Sequence, residues 1–284
     1  MYKRIIAGTD FSPTAARAVD RAARLASTLS ADLILLHAGT DRAGQLEELG
    51  AQHGAKVVVQ AGNPAEVLIS QADEAGADLI VIGNRGMSGP RRFMIGNVPN
   101  KVSHHSPKDL LIVKTDTDHA SEGYSKIIVG SDGSDTSMKA VEAAARLSSQ
   151  LDASLIVACA FEPPTKSELE QLRADPNDPV AQWNAQPGED VPDEFRWRIS
   201  AASQAEDILE RAVEHASKEG VEPETRAVEG HPVEALAELV EKEGAELIVV
   251  GNVGMSGARR LMLGNVPHRL SHHAPCDLLI LRTS

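Results

Sequence analysis

Two stretches of the chain carry the residues most suited to chemistry. GNRGMSGPRRFMIGNVPNKVSHHSP runs from Gly83 to Pro107, and GNVGMSGARRLMLGNVPHRLSHHAP runs from Gly251 to Pro275, with 17 of the 25 positions identical. Each holds a glycine, two residues, a second glycine, nine residues and a third glycine. These are Gly83, Gly86 and Gly96 in the first copy and Gly251, Gly254 and Gly264 in the second. Glycines let the backbone approach an anion closely and turn its N–H groups toward it. Asn97 and Asn265 then open helix-like segments whose positive dipole end adds to the attraction. Asn97 reads as an N-cap and Pro99 as a first-turn residue. The chemistry is the holding of a phosphate. Neither G-x-x-x-x-G-K-[ST] nor G-x-G-x-x-G is present, so rapid NTP hydrolysis on a Walker lysine is not expected.

A second polar feature recurs at Gly8-Thr9-Asp10 and Gly130-Ser131-Asp132. Asp10 and Asp132 have two readings here. One is an acceptor for a ribose or base edge, and the other is a turn former ahead of a helix capped by Ser12 or Ser134. Arg91-Arg92 and Arg259-Arg260 lie mid-loop, either as solvated surface or within reach of a terminal phosphate. The pairs His104-His105 and His272-His273 invite a metal reading, but adjacent helical residues point about 100° apart and no i,i+4 partner ligand is expected. They read as histidines favouring a helix C-terminus, with no metal expected. Cys159 and Cys276 sit in apolar runs and read as small buried hydrophobes. No Ser/His/Asp or Cys/His nucleophile set is visible.

The elements that must position these residues also come in two copies. KRIIAGTDFSPTAARAVDRAARLAS near the start aligns with KIIVGSDGSDTSMKAVEAAARLSS at an offset of 122, the offset from Asp10 to Asp132. GNPAEVL at Gly62 aligns with GHPVEAL at Gly230 at an offset of 168, so the second copy holds 46 extra residues. In the first copy RIIAGT, DLILLH, KVVVQA, DLIVIG and DLLIVK are short apolar runs suited to strands buried on both faces. TAARAVDRAARLASTLS and PAEVLISQADEAG carry the 3.6-residue period of helices. Five strands separated by helices predict a doubly wound α/β domain, twice. The domains are expected at 1–116 and 125–284, with a polar linker at 117–124. The insertion near 161–199 holds six prolines and both tryptophans, Trp183 and Trp197. It reads as an irregular surface excursion with a little helix, or as a lid or docking loop.

A net charge of −13 argues against nucleic-acid and anionic-membrane partners, which demand basic surface. Aromatics at 3% leave the cores to Val, Ile, Leu and Ala. The N-terminal residues show no apolar leader and no run approaches a membrane span, so a cytoplasmic location is expected.

The glycine spacing after a fourth strand, twice, with an aspartate ending the first strand, resembles the universal stress protein family. The resemblance covers the chain as two tandem copies apart from the insertion. It implies a five-stranded parallel sheet of order 3-2-1-4-5 in each copy, with the fifth strands paired into an internal dimer; a further homodimer and any protein partner are left open. It also implies ATP as cofactor, with or without Mg2+. On that resemblance Gly83, Gly86, Gly96, Asn97 and Val98 hold phosphates and ribose, Thr9 and Asp10 face the adenosine, and His37 or Ala38 lines the base; Arg85, within the glycine loop, is a further candidate of the site. The second copy offers Ser131, Asp132, Ala158, Cys159, Gly251, Val253, Gly254, Gly264, Asn265 and Val266. Asn97 and Asn265 stand where ATP-binding members usually carry Ser or Thr. Arg85 is matched by Val253, so the two sites differ in expected anion affinity. The expected function is nucleotide-dependent stress-response regulation without catalysis beyond slow hydrolysis. Its rivals are an interaction module that has lost nucleotide binding, and a binder of another adenine nucleotide.

Overall fold

The computed structural model describes residues 2–85, 96–114, 123–162, 193–253 and 263–283, with 193–200 described as backbone alone. The first half runs β1 (Arg4–Gly8), α1 (Pro13–Leu29), β2 (Asp32–Ala38), α2 (Ala43–His53), β3 (Lys56–Gln60), α3 (Pro64–Glu74), β4 (Leu79–Gly83), α4 (Asn97–His105) and β5 (Asp109–Val113). The second half repeats it as β6 (Lys126–Gly130), α5 (Asp135–Leu151), β7 (Ser154–Phe161), α6 (Asp193–Ser217), β8 (Glu224–Glu229), α7 (Pro232–Glu243), β9 (Leu247–Gly251), α8 (Asn265–His273) and β10 (Asp277–Leu281).

All ten strands join one sheet in the order β3-β2-β1-β4-β5-β10-β9-β6-β7-β8. Each half therefore has the 3-2-1-4-5 order that the resemblance implied. Pairing is parallel everywhere except β5 against β10, which is antiparallel. Strand residues alternate between two apolar layers, as a period of two requires. Ile5, Ala7, Leu79 and Val81 face α1, α2, α5 and α6 through residues such as Val19, Leu46, Val141 and Leu209. Ile6, Ile80 and Ile82 face α3, α4, α7 and α8 through Leu68, Val102, Leu236 and Leu270. Both layers run through both halves. Among the described residues no helix is long and apolar enough to cross a membrane.

Two sequence expectations change. Phe161 belongs to β7, and 193–199 form the first turns of α6, a helix of 25 residues against 11 for α2. Residues 163–192, including Trp183, and the Trp197 side chain lie outside the described residues, as do 115–122 of the linker region. Tyr124, assigned to that linker, is instead buried at the junction of the halves.

The junction is built twice over. Asp277 accepts from the Lys114 backbone N–H (2.8 Å) and the Tyr124 hydroxyl (2.7 Å), and pairs with Arg21 Nε at 3.2 Å. Asp109 likewise accepts from the Arg282 backbone N–H (2.7 Å) and the Tyr2 hydroxyl (3.0 Å). Lys114 and Arg282 reach across to the carbonyls of Ser271 and Ser103, at 2.8 and 2.7 Å. Burial pushes the Asp277 carboxyl up, and Arg21 pulls it back toward the ionised form. The guanidinium of Arg21 also lies 4.2 Å from the centre of the Tyr124 ring.

Helices α4 and α8 meet near this seam through their histidines. His104 lies 5.3 Å from His268, which lies 5.1 Å from His272, ring centre to ring centre. His268 precedes His272 by one turn, so the i,i+4 partner expected to be missing is present in the second copy. Among the described residues no three ligating side chains converge on a metal position. Instead burial and the neighbouring ring both disfavour a positive charge on these histidines. His104 and His272 are held below the ordinary histidine value by burial first and by the neighbouring His268 second. The further charged groups facing them are His105 and Arg282 for His104, and His273 and Lys114 for His272.

Two outcomes are expected. Asp277→Ala, which removes the buried acid that pairs with Arg21, lowers unfolding free energy by about 3–5 kcal/mol in urea titration. Stability also falls on acidification. The unfolded chain takes up histidine protons near pH 6.5 while the folded cluster resists, so stability is whole above that pH and declines below it. His268→Asn, the residue at the matching position Asn100, flattens the decline in urea midpoint between about pH 7.5 and 5.5.

Candidate functional site

Where β1 leads by α1 to β2 on one side, its other neighbour β4 leads outward to β5, so the connections diverge between β1 and β4. Open α/β sheets place their crevice at such a point, beyond the carboxyl ends of the strands. A cleft of about 340 Å³ lies there, lined by Thr9, Asp10, His37, Ala38, Gly83, Arg85, Gly96, Asn97 and Val98. Its floor adds Gly8, Ala15, Leu36, Pro64, Leu68, Ile82 and Pro99. The second half has a matching cleft of about 270 Å³ between β6 and β9. Ser131, Asp132, Ala158, Gly251, Val253, Gly264, Asn265 and Val266 line it, with Ser137, Ala160, Pro232, Leu236, Val250 and Pro267.

Each cleft is framed by two helix starts. Ser12 caps α1 by accepting from the Ala15 N–H (3.2 Å), and Asp10 accepts from the Ser12 N–H (3.0 Å). Ser134 does the same for α5, accepting from the Ser137 N–H at 3.2 Å. Asp132 accepts from both the Ser134 N–H (3.1 Å) and its hydroxyl (2.6 Å). The turn-forming reading of the aspartates is realised, and both carboxylates still line the clefts.

At α4 the cap is Gly96 rather than Asn97, and at α8 it is Gly264; neither helix has a side-chain cap bond. The first N–H groups of a helix have no intrahelical partner, so those of Asn97 and Val98 are donors set at the cleft wall. Glycine is not demanded by the backbone there, since φ is −68° at Gly96 and −66° at Gly264. A Cβ on Gly96 would meet protein atoms no nearer than 3.5 Å. A serine or aspartate would cap the helix better. The position keeps the helix end open.

The glycine loops are tied at the neck: the Gly96 N–H donates to Asn84 O (2.9 Å) and the Gly264 N–H to Asn252 O (2.8 Å). Gly83 is a close-approach residue, because a Cβ there would fall 3.0 Å from the Thr14 backbone oxygen. Thr136 anchors the second neck by donating to Val253 O at 2.9 Å. Gly86, Gly254, Arg91, Arg92, Arg259 and Arg260 lie outside the described residues.

One candidate does not belong. Cys159 is 3% exposed and packs in the layer of α5 and α6. Strand alternation turns its neighbours Ala158 and Ala160 to the cleft instead. Burial, with Asp132 second, pushes its thiol up to about 11. His37 lines the first cleft while its ring is held by Thr9 O at 3.0 Å and stands edge-on to Phe11 at 5.2 Å. The wall formed by Pro64 and Leu68, and by Pro232 and Leu236, was not assigned from sequence. Its signal was there in the repeated GNPAEVL and GHPVEAL.

The family model for the universal stress protein family matches residues 1–56, 41–114 and 123–282. A universal stress protein of Mycobacterium tuberculosis strain H37Rv is 36% identical over 162 residues, 57% of this chain and 98% of that protein. A crystal structure of a putative universal stress protein from Pseudomonas aeruginosa overlays at TM-score 0.68 with 16% identity, covering 99% of this chain and 93% of that one. A universal stress protein solved in complex with cAMP is 31% identical over 57% of this chain and 100% of its own, at TM-score 0.39. With two halves that share one topology and family matches reaching both, the chain belongs to the universal stress protein family.

Proposed function

We propose that each cleft binds an adenine nucleotide, with ATP as the principal ligand, and that occupancy regulates a stress response without catalysis beyond slow hydrolysis. The observation that carries this reading is the helix end left uncapped at Gly96 and again at Gly264, opposite an aspartate at the end of the neighbouring strand. An open helix N-terminus offers N–H donors and about half a positive charge to an anion. The apolar wall of Pro64, Leu68 and Ile82 suits a flat aromatic base.

In this reading the N–H groups at Asn97, Val98, Asn265 and Val266 take phosphate oxygens, and the carboxamides of Asn97 and Asn265 donate where relatives use a hydroxyl. Asp10 and Asp132 accept from ribose hydroxyls or from a metal-bound water. Mg2+, where it accompanies ATP, would neutralise phosphate charge beside those carboxylates. His37 and Ala38, or Ala158 and Ala160, bound the base.

The double variant Gly96→Asp/Gly264→Asp tests the reading without weakening the fold. An aspartate caps each helix and adds negative charge at the phosphate position. ATP affinity by calorimetry drops about tenfold or more, while the thermal midpoint holds or rises. Nucleotide released by heating the purified protein, separated by chromatography, identifies the ligand, with cAMP and AMP scored beside ATP. A protein that releases none, and that binds none at millimolar concentration, is an interaction module instead.

A further inference from the structure

We infer that the two clefts sort ligands by charge, the first taking a nucleotide with a polyphosphate chain and the second a nucleotide with a single phosphate. This rests on the reading of both clefts as nucleotide sites. Their walls otherwise correspond closely, from Gly8 and Gly130 at one end to Pro99 and Pro267 at the other. The charged difference is Arg85 against Val253.

The position of that difference matters. A Cβ on Gly96 would lie 3.7 Å from Arg85 Cα, and one on Gly264 would lie 3.6 Å from Val253 Cα. Both residues thus sit beside the open helix end, where phosphates would be held. Arg85 is half-buried and lines the first cleft; Val253 is 7% exposed and lines the second.

Each cleft has the same helix dipole and one aspartate. The first adds a permanent cation. The second adds none among the described residues, and Cys159, which stands at the place of His37, is turned away from it. A phosphate monoester carries roughly −1.5 to −2 charges, and each further phosphoryl group adds to that. Beside Asp132 no cation lining the cleft among the described residues offsets that added charge. Beside Asp10 it meets a guanidinium whose planar fork suits phosphate oxygens.

The rim of the first cleft reinforces the difference. The Arg42 guanidinium donates to the Asp10 carbonyl at 3.2 Å and lies 5.4 Å from the Phe11 ring centre. Phe11 holds a left-handed backbone, φ 62°, to place that ring. The second half has Gly133 there, φ 81°, with Ile208 occupying the space a side chain would need. Among the described residues this basic, aromatic rim is found at the first cleft alone.

Titration calorimetry of the full chain with ATP and with AMP tests the inference. Expected are two ATP classes at least about tenfold apart, the range of a charge-assisted hydrogen bond, and two AMP classes within about threefold. Arg85→Val, which installs the residue already accommodated at the matching place, collapses ATP to the weak class. Arg85→Lys keeps the tight class, and Val253→Arg creates a second one. Two equal ATP classes in the natural protein, or a tight class that survives Arg85→Val, overturns the sorting and leaves nucleotide binding standing. Failure to bind either ATP or AMP at both clefts overturns the underlying reading as well.

Discussion

The antiparallel pairing of β5 with β10 is the constraint on which the rest of the architecture depends. Leu110, Leu111 and Ile112 face Ile280, Leu279 and Leu278, all between 0 and 2% exposed. As free edges these runs would invite pairing with any other chain. Joined, they make ten strands one sheet and two half-cores two continuous layers. Asp109 and Asp277 close the ends of this ladder by accepting the N–H groups of Arg282 and Lys114. The halves separate only by exposing apolar strands and unpairing buried carboxylates at once, and both changes are costly.

That seam also sets the relation between the clefts. The two strands flanking the seam, β4 and β9, end at Gly83 and Gly251, from which the glycine loops depart. The chain returns to the sheet through α4 and α8, whose first residues line the clefts and whose histidines meet near the seam. Each of these helices has its partner-side cation, Arg282 or Lys114, at a carbonyl of its last turn. Cations there complement the negative helix end. The same dipole that presents a positive end to the cleft is satisfied, at its other end, by the opposite half of the molecule.

The sequence told most about what repeats. Strand identity was plain because buried parallel strands are almost continuously apolar, and the 3-2-1-4-5 order followed from the family resemblance. The bringing together of Asp10 with Asn97, and of Asp132 with Asn265, followed from the same resemblance, which set the first strand beside the fourth. Three features were not legible. Cap identity shifted by one residue, because asparagine is intrinsically the better cap and nothing local tells that a glycine will be used instead. The placement of Cys159 depended on strand phase, where a one-residue error moves a side chain to the other face. Tyr124 looked like linker because its neighbours are polar; its burial is decided by Asp277, 153 residues away. Long-range partners leave no local trace.

The two copies diverge where the geometry permits it. Around the seam, Tyr2 and Tyr124, Ser103 and Ser271, and Asp109 and Asp277 are retained, while Lys114 and Arg282 exchange one cation for another. Arg21 breaks the pattern, as His268 does against Asn100: the residue matching Arg21 in α5 is Ala143. Helices α1 and α5 touch across the pseudo-twofold, and a buried guanidinium from each would bring two positive charges into the same enclosed space. One arginine serves one buried acid, Asp277, while Asp109 keeps only its tyrosine and the Arg282 backbone as hydrogen-bond donors. Burial lifts both carboxyls, but only Asp277 has a guanidinium in direct contact to oppose that lift. The asymmetry at Arg21 therefore follows from packing at the axis. The asymmetry between Arg85 and Val253 lies in clefts on separate halves, away from that axis.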